Sequence, residues 1–522
     1  MTDVKEMSSI RYVATGARLL RLLFYTDETN SSTCGSQKRG RSVESKPYIT
    51  ALPPNREGKP HCGCQLFYDG RTCPLIRMFC RRTFLVGLLV VIADQIQVNK
   101  AIRSRMHWRD VSQYDSLSCN VQLVESIPEN LTYPVGTLQY MSTVDAWKWL
   151  LGEATQNLYL AEFYWTMNAE DKFNFSATIP GREIFKQLTE KSRQIKVKIS
   201  QNGPPSKNAE LASLAEAGAE IFWIDVPKLL GDGIIHTKLW SVDQKHAYLG
   251  SANMDWRALT EVKELGILFS NCPGLVIDLD KIHRAYRLVS KGIPEKWPDE
   301  MSTSYNKDSP MRIKLNGVCS VAYFSSSPTA FNPPGRTYDL DAILSVINKA
   351  ERFIYISVMN YIPEIVKYDK KKKNTFWPAI DDALRSAAIS RGVEVRLLVS
   401  LWPSTPKSMS KYLTSLHSLN GIQHSRIRVR YFVVPSFTAE QKKIPYARVK
   451  HDKYMVTDKN GYIGTSNWSG DYFIYTGGVG FVFEHTEKAL PNGTQTLREQ
   501  LQTVFERDWN SQYTEELFAH TP

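Results

Sequence analysis

"HTKLWSVD" occupies His236 to Asp243, and "HDKYMVTD" occupies His451 to Asp458, 215 positions further on (451 − 236). One HxKxxxxD spacing carries little information in a chain of 522 residues. The downstream residues carry more: "GSAN" (Gly250 to Asn253) comes after the first copy and "GTSN" (Gly464 to Asn467) after the second, each reached through a short apolar run. Both phrases read as hairpins: "KLWSVD" or "KYMVTD", a turn carrying Lys, Gln, Asn or Gly, then "AYLG" or "GYIG". Residues i and i+2 of a strand share a face, so the His and Lys of each copy point the same way. The Gly-Ser/Thr-x-Asn end adds small residues and an amide beside them.

Upstream of each phrase, strands alternate with helices. "NLYLAEFYW", the helix "GREIFKQLTEKSRQ", "IKVKIS", the helix "NAELASLAEAG" and "AEIFWIDV" precede the first copy. "LDAILSVINKAE", "FIYISVMNY", "PAIDDALRSAAISRG", "VEVRLLVS", a helix around "SMSKYLTSLHSL" and "IRVRYFVV" precede the second. Such alternation predicts an α/β fold with a mixed, largely parallel sheet flanked by helices. The repeated order and closing phrase make the chain an internal duplication, with halves at 111–295 and 311–522 joined by a polar linker at 296–310. The period is far above that of solenoids, so two pseudo-symmetric domains facing each other are expected.

The net charge of +12 is concentrated at the front: residues 1–83 hold 14 Lys and Arg against 7 Asp and Glu and are rich in Gly, Ser and Pro. This region reads as a solvated, disordered basic tail that says little about the ligand of the folded part. The run "FLVGLLVVIA" (84–93) covers about half the length a membrane-spanning helix needs. With Arg77, Arg81 and Arg82 before it, a signal-anchor with stalk (84–110), a signal segment and a core helix are all compatible with it. Eight cysteines in 522 residues do not make a disulfide scaffold, and "CGC" lacks a second pair at zinc spacing. Sequons stand at Asn130, Asn174 and Asn492.

Facing copies of the motif bring His236 and His451 to one pocket with Lys238, Lys453, Asn253 and Asn467. Phosphodiester cleavage uses such a set. One His attacks phosphorus and becomes a phosphohistidine, while the other protonates the leaving oxygen and then activates water. Lysines and amides stabilise the phosphoryl oxygens, and no metal or cofactor is required. Asp243 and Asp458, at the far strand ends, read as structural hydrogen-bond acceptors. Glu264 in "VKELG" is the better partner for a His, whereas the matching "TGGVGF" has no carboxylate. The two histidines therefore differ, but the spacing leaves open which one is the nucleophile.

These residues resemble the phospholipase D superfamily, and most closely its endolysosomal, membrane-anchored D3/D4-type 5′-exonucleases. The stretches that carry the likeness include "VESIPENL", "AEFYWT", "HTKLWSVDQKHAYLGSANMDWRALTEVKELG", "PPGRTYDLDAILSVI" and "IPYARVKHDKYMVT" with "YIGTSNWSGDYF", within residues 117–515. The resemblance implies phospholipase D-type domains, a type II precursor sorted from the endoplasmic reticulum to lysosomes, and 5′-end degradation of single-stranded DNA and RNA at acidic pH. It also implies phosphatidyl transfer as a second activity. His236, Lys238, Asn253, His451, Lys453 and Asn467 match the catalytic positions, and Asp243, Asp458 and Glu264 the supporting carboxylates. A Cys119–Cys272 bridge is the remainder of the family's paired cysteines, with Cys319 left over. The short anchor and long tail depart from the pattern.

A single strand of nucleic acid needs stacking platforms beside the phosphate pocket. The candidates are Phe163, Tyr164, Trp165, Tyr361, Phe376 and Trp377, with a basic run at Lys370 to Lys373. A phospholipid would ask for an apolar groove, for which no amphipathic stretch speaks. Nucleic acid therefore ranks first, phospholipid second and a non-catalytic membrane glycoprotein third. A homodimer is compatible with each.

Overall fold

The computed structural model describes residues 118–169, 175–367, 373–486 and 495–520. The basic tail, the apolar run at 84–93 and the stalk lie outside the described residues, as do Asn174, Asn492 and Lys370 to Lys372. No helix of the described residues is long and apolar enough to cross a membrane.

The first half contributes β1 (Ser118–Ser126), β2 (Asn157–Glu162), β3 (Lys196–Asn202), β4 (Glu220–Ile224), β5 (Leu239–Val242), β6 (His246–Gly250) and β7 (Glu264–Ser270). They lie side by side as β4-β3-β2-β5-β6-β7-β1, parallel within β4-β3-β2 and antiparallel elsewhere. The second half opens with β8 (Met311–Leu315) and continues through β9 (Val318–Ser327), β10 (Phe353–Val358), β11 (Glu394–Ser400), β12 (Ile427–Phe432), β13 (Lys453–Thr457), β14 (Asn460–Gly464) and β15 (Gly478–His485). Its order, β12-β11-β10-β13-β14-β15-β9, repeats the first strand for strand and sense for sense. The parallel limb is the β-α-β part of each half. The antiparallel limb is built around the motif hairpin, whose first turn is closed by Asp243 and Gln244, both at positive φ (50° and 57°) as tight hairpin loops require.

β8 pairs with β9 and, in parallel, with the start of β1, so the two sheets join at their edges. Helices α1 (Thr143–Glu153), α2 (Ile179–Gln194) and α3 (Ala209–Glu216) cover the first sheet. Helices α5 (Asp339–Lys349), α6 (Ala379–Arg391) and α7 (Lys407–His417) cover the second. Two more long helices, α4 (Pro273–Val289) and α8 (Leu497–Trp509), share one central apolar cluster with inward residues of both sheets, among them Leu123, Ile267, Phe324 and Phe481. Ends are set locally: Ser142 caps α1 by accepting from the Asp145 amide at 3.0 Å, Thr496 and Glu499 form a capping box on α8, and Gly392 ends α6 at φ 67°.

The stretch read as a linker is packed. The Thr303 hydroxyl donates to Asp278 at 2.5 Å, Lys281 to the Ser302 carbonyl at 2.6 Å, and the Lys307 amide to Thr337 at 2.9 Å. A polar composition there reflects hydrogen bonding to α4 rather than freedom. Cys119 on β1 and Cys272 before α4 form a disulfide, and Cys319 lies buried on β9.

Candidate active site

Both motif histidines enter the site on the segment just before a motif strand, and each is fixed by the opposite half. The His236 amide donates to the Gly477 carbonyl at 2.8 Å, and the His451 amide donates to the Lys263 carbonyl at 2.8 Å. Short parallel bridges, Ile235 with Gly477 and Lys263 with Lys450, repeat the same contact twice. The result is two imidazoles with ring centroids 6.2 Å apart. They share a cavity of about 460 Å³ with Asn253, Asn467, Glu264, Phe163, Tyr164, Arg257, Trp402, Tyr446 and Tyr472.

Lys238 and Lys453 lie beneath the histidines, buried at 0% and 1% exposure. Each ammonium donates to the carbonyl of its own histidine, Lys238 at 2.6 Å. Burial pulls both lysines down, Lys238 well below its usual range and Lys453 to about 7, with the two cations also opposing each other at Lys238. A phosphodiester anion would reverse that pressure. Asn467 donates to the Tyr472 hydroxyl at 3.1 Å, while the Oδ1 atoms of Asn253 and Asn467 make no hydrogen bond.

The halves diverge beside the histidine rings. Glu264 begins β7, and its counterpart at the start of β15 is Gly478. Both Glu264 oxygens lie 2.9 Å from His451 Nδ1. At Gly478 a Cβ would meet Ser466 Oγ at 2.2 Å, so His236 Nδ1 faces the Thr465 carbonyl instead, at 2.8 Å. A carbonyl only accepts, so His236 carries its proton on Nδ1 and presents an unprotonated Nε2. Burial, then Lys238, Lys453 and His451, hold His236 well below the usual histidine range. Burial also lowers His451, but there Glu264 opposes it. Glu264 itself is pushed up by burial and pulled down further by His451 and Lys453, so its net shift is downward.

The asymmetry continues behind the rings. Lys263 contacts Glu125 at 3.3 Å and Asp508 at 3.0 Å, Lys450 contacts Asp508 at 3.4 Å and also pairs with Asp452, and Arg507 holds Glu125 at 2.5 Å. The corresponding positions behind His236 are Ile235, Thr237, Tyr286 and Gly477, where Thr237 and Tyr286 share a hydroxyl hydrogen bond of 2.8 Å. One imidazole therefore sits on a buried ionic cluster and the other on neutral groups.

Asp243 lies away from the cavity and accepts from the Thr155, Gln156 and Asn157 amides at 2.8, 3.0 and 2.6 Å. Asp458 accepts from the Glu351 and Arg352 amides at 3.1 and 3.0 Å. Each thus fastens its hairpin to the start of the neighbouring strand, β2 or β10. Four of the six aromatic candidates lie outside the cavity lining. Trp165 is 2% exposed and donates to Gln201 at 2.7 Å, and Tyr361 is 2% exposed and donates to Asp381 at 2.7 Å. Trp377 stacks on Phe473 at 5.6 Å, outside the cavity lining. Phe163 and Tyr164 lie in the bend that follows β2 and reach the cavity, whereas Trp165 turns into the core. Phe376 is exposed but also outside the lining. Asn130 is exposed at φ 67° and accepts from Gln441 at 3.1 Å. Sequence reading missed Tyr446, Tyr472, Arg257 and Trp402. Tyr472 lies five residues after Asn467 in "SNWSGDYF", where aligning the two motif copies places Ala258, so the duplication held a signal for it. Among the described residues no group of three or more His, Cys, Asp or Glu is arranged to hold a metal ion.

Equivalent segments of two repeated sheets, each delivering a His and an Asn to one cavity above a buried Lys, define a duplicated-motif phosphodiesterase. The chain belongs to the PLD3/4, PLD-like domain family, whose model matches residues 137–437. The 5′-3′ exonuclease PLD3 of Bos taurus is 47% identical over 409 residues, 77% of this chain and 81% of that relative. The 5′-3′ exonuclease PLD4 of Mus musculus is 41% identical over 416 residues, 78% of this chain and 81% of that relative. A solved phosphatidylserine synthase from Haemophilus influenzae Rd KW20 covers 78% of this chain and 91% of its own at a TM-score of 0.48 and 11% identity.

Proposed function

We propose that this protein is a 5′-3′ exonuclease that cleaves single-stranded DNA and RNA through a phosphohistidine. The observation that carries the chemistry is the pair of imidazoles facing one cavity in different hydrogen-bonding states. His236 is the nucleophile: with Nδ1–H committed to Thr465, its Nε2 lone pair attacks phosphorus. The P–O bond to the leaving group breaks as His451, held against Glu264, passes its proton to the departing oxygen. His451 then takes a proton from water, which displaces His236 and leaves a phosphate ester. Lys238, Lys453, Asn253 and Asn467 neutralise the phosphoryl oxygens throughout. Because burial depresses His451, its acid form fills only as pH falls, which supports an acidic working compartment.

The disulfide supports an oxidising, lumenal setting for the body. Together with the apolar run after Arg77, Arg81 and Arg82, it supports reading the chain as a type II precursor passing from the endoplasmic reticulum to lysosomes. Phospholipid is the second substrate class, supported by the apolar wall that Ala258, Val262, Met359 and Val449 give the cavity. The test is digestion of 5′-labelled and 3′-labelled single-stranded DNA in EDTA at pH 5 and pH 7. Stepwise loss from the 5′ end by the wild type, abolished in His236→Ala and His451→Ala, is the expected result. Cleavage unchanged in either variant refutes the two-histidine mechanism, and phosphatidyl transfer without nucleic acid cleavage replaces the substrate.

A further inference from the structure

The segment that leads into the second motif crosses to the first half and is fastened there on both sides of a single residue. Ile444 and Ala447 are buried against Ala177 and Trp256. Arg257 donates to the Pro445 carbonyl at 2.8 Å. Beyond it, the Arg448 amide donates to the Glu261 carbonyl at 3.0 Å, and its guanidinium reaches the Pro435 carbonyl at 2.6 Å, the Glu129 carbonyl at 3.1 Å and the Glu261 carboxylate at 3.1 Å. Between these anchors stands Tyr446, at φ 58°, with Arg448 at φ 54°. A bulky residue with positive φ is a genuine outlier, and such strain persists only where the surroundings over-determine the backbone.

Tyr446 is 71% exposed, yet it lines the catalytic cavity. The other aromatic residues of the lining, Phe163, Tyr164, Trp402 and Tyr472, are less exposed, and three of them are engaged. Phe163 lies under the Lys238 ammonium at 5.4 Å and beside His236 at 5.3 Å, Tyr164 donates to Asp255 at 2.8 Å, and Tyr472 meets the His236 ring at 5.1 Å. Glycine would remove the strain at 446, so a tyrosine there puts a ring at the mouth at a conformational cost. Water-exposed aromatic faces beside a phosphate site are how single strands are held without sequence preference.

We propose that Tyr446 is the base platform of the site, a specificity-determining residue that stacks a nucleobase of the single-stranded substrate at the cavity mouth. This role rests on the proposed nuclease function. The fastened backbone keeps the ring in place before substrate arrives, so little ordering cost is left for binding.

The experiment uses the full chain and its Tyr446→Ala, Tyr446→Phe and Tyr446→Gly variants on three substrates. These are an oligothymidylate, a strand of the same length made of abasic units, and bis(p-nitrophenyl) phosphate. Stacking on one aromatic ring corresponds to roughly a tenfold effect. Tyr446→Ala and Tyr446→Gly should raise KM for oligothymidylate about tenfold, and Tyr446→Phe should match the wild type. On the abasic strand all four proteins should share one KM. Tyr446→Gly should melt no lower than the wild type, because glycine accepts this φ. An unchanged KM for oligothymidylate, or an equal rise on the abasic strand, overturns the platform while leaving the nuclease reading intact. A wild type that cleaves bis(p-nitrophenyl) phosphate but neither strand overturns the nuclease reading and the platform with it.

Discussion

Replacing Glu264 by Gln keeps the size of the side chain and removes the charge that faces His451 Nδ1 from 2.9 Å. Taking the charge centres as about 4 Å apart in a medium of effective dielectric about 20, the lost attraction is about 4 kcal/mol. That corresponds to about three pK units of preference for the imidazolium. Glu264 also serves Lys453, and the amide can still hydrogen-bond, so a displacement of about one to two units is expected. The sign is fixed by the role of the acid: a His451 that loses its proton at lower pH moves the alkaline limb of the kcat profile to lower pH. On oligonucleotides, whose leaving oxygen needs a proton, kcat should fall about 100-fold at the wild-type optimum, the lower end of general-acid contributions. On bis(p-nitrophenyl) phosphate, whose leaving group departs as an anion, the loss should be severalfold at most. The assay is the pH profile of kcat on both substrates, with melting temperature as the folding control. A limb that does not move, or an equal loss on both substrates, refutes the assignment of His451 as the acid held by Glu264.

Two further outcomes concern stability. For Asp508 and Glu125, burial raises the carboxyl pKa, but Lys263 and Arg507, joined at Asp508 by Lys450, outweigh it and leave both lowered. Their contribution is therefore complete above the unfolded value of about 4 and is lost as pH falls through the lower folded values. Thermal unfolding from pH 7 to pH 3 should show this cluster intact at pH 5. Asp508→Asn should cost about 3 to 5 kcal/mol at pH 7 and flatten the decline below pH 4, and an equally steep acid decline in the variant contradicts this role for the cluster. The Cys119–Cys272 bridge spans 153 residues, for which loop closure predicts up to about 5 kcal/mol. Cys272→Ser should lower the urea midpoint and, by releasing the unfolded chain, raise the m-value, and an unaltered midpoint contradicts the loop-closure account of the bridge.

The duplicated motif was legible without any structure because it is a local spacing: His, Lys, hairpin, Gly-Ser/Thr-x-Asn. The same holds for the α/β class, which comes from strand and helix periodicities within each half, and for the missing carboxylate in "TGGVGF". Contacts between residues hundreds of positions apart were not legible. Nothing local says that Lys263 and Gly477 carry the carbonyls that fix the two histidines, that Thr465 takes the place of Glu264 at His236, or that a buried ionic cluster backs only one ring. The aromatic candidates show the same divide. Composition marked "FYW" and "FWP" as aromatic, but burial of Trp165 and Tyr361 and exposure of Tyr446 depend on which element packs on which face. Sequence by itself determined the chemistry available, because residue types and short spacings carry it. Only the tertiary structure decided what each histidine bonds to, because those hydrogen-bond partners are brought from the opposite half.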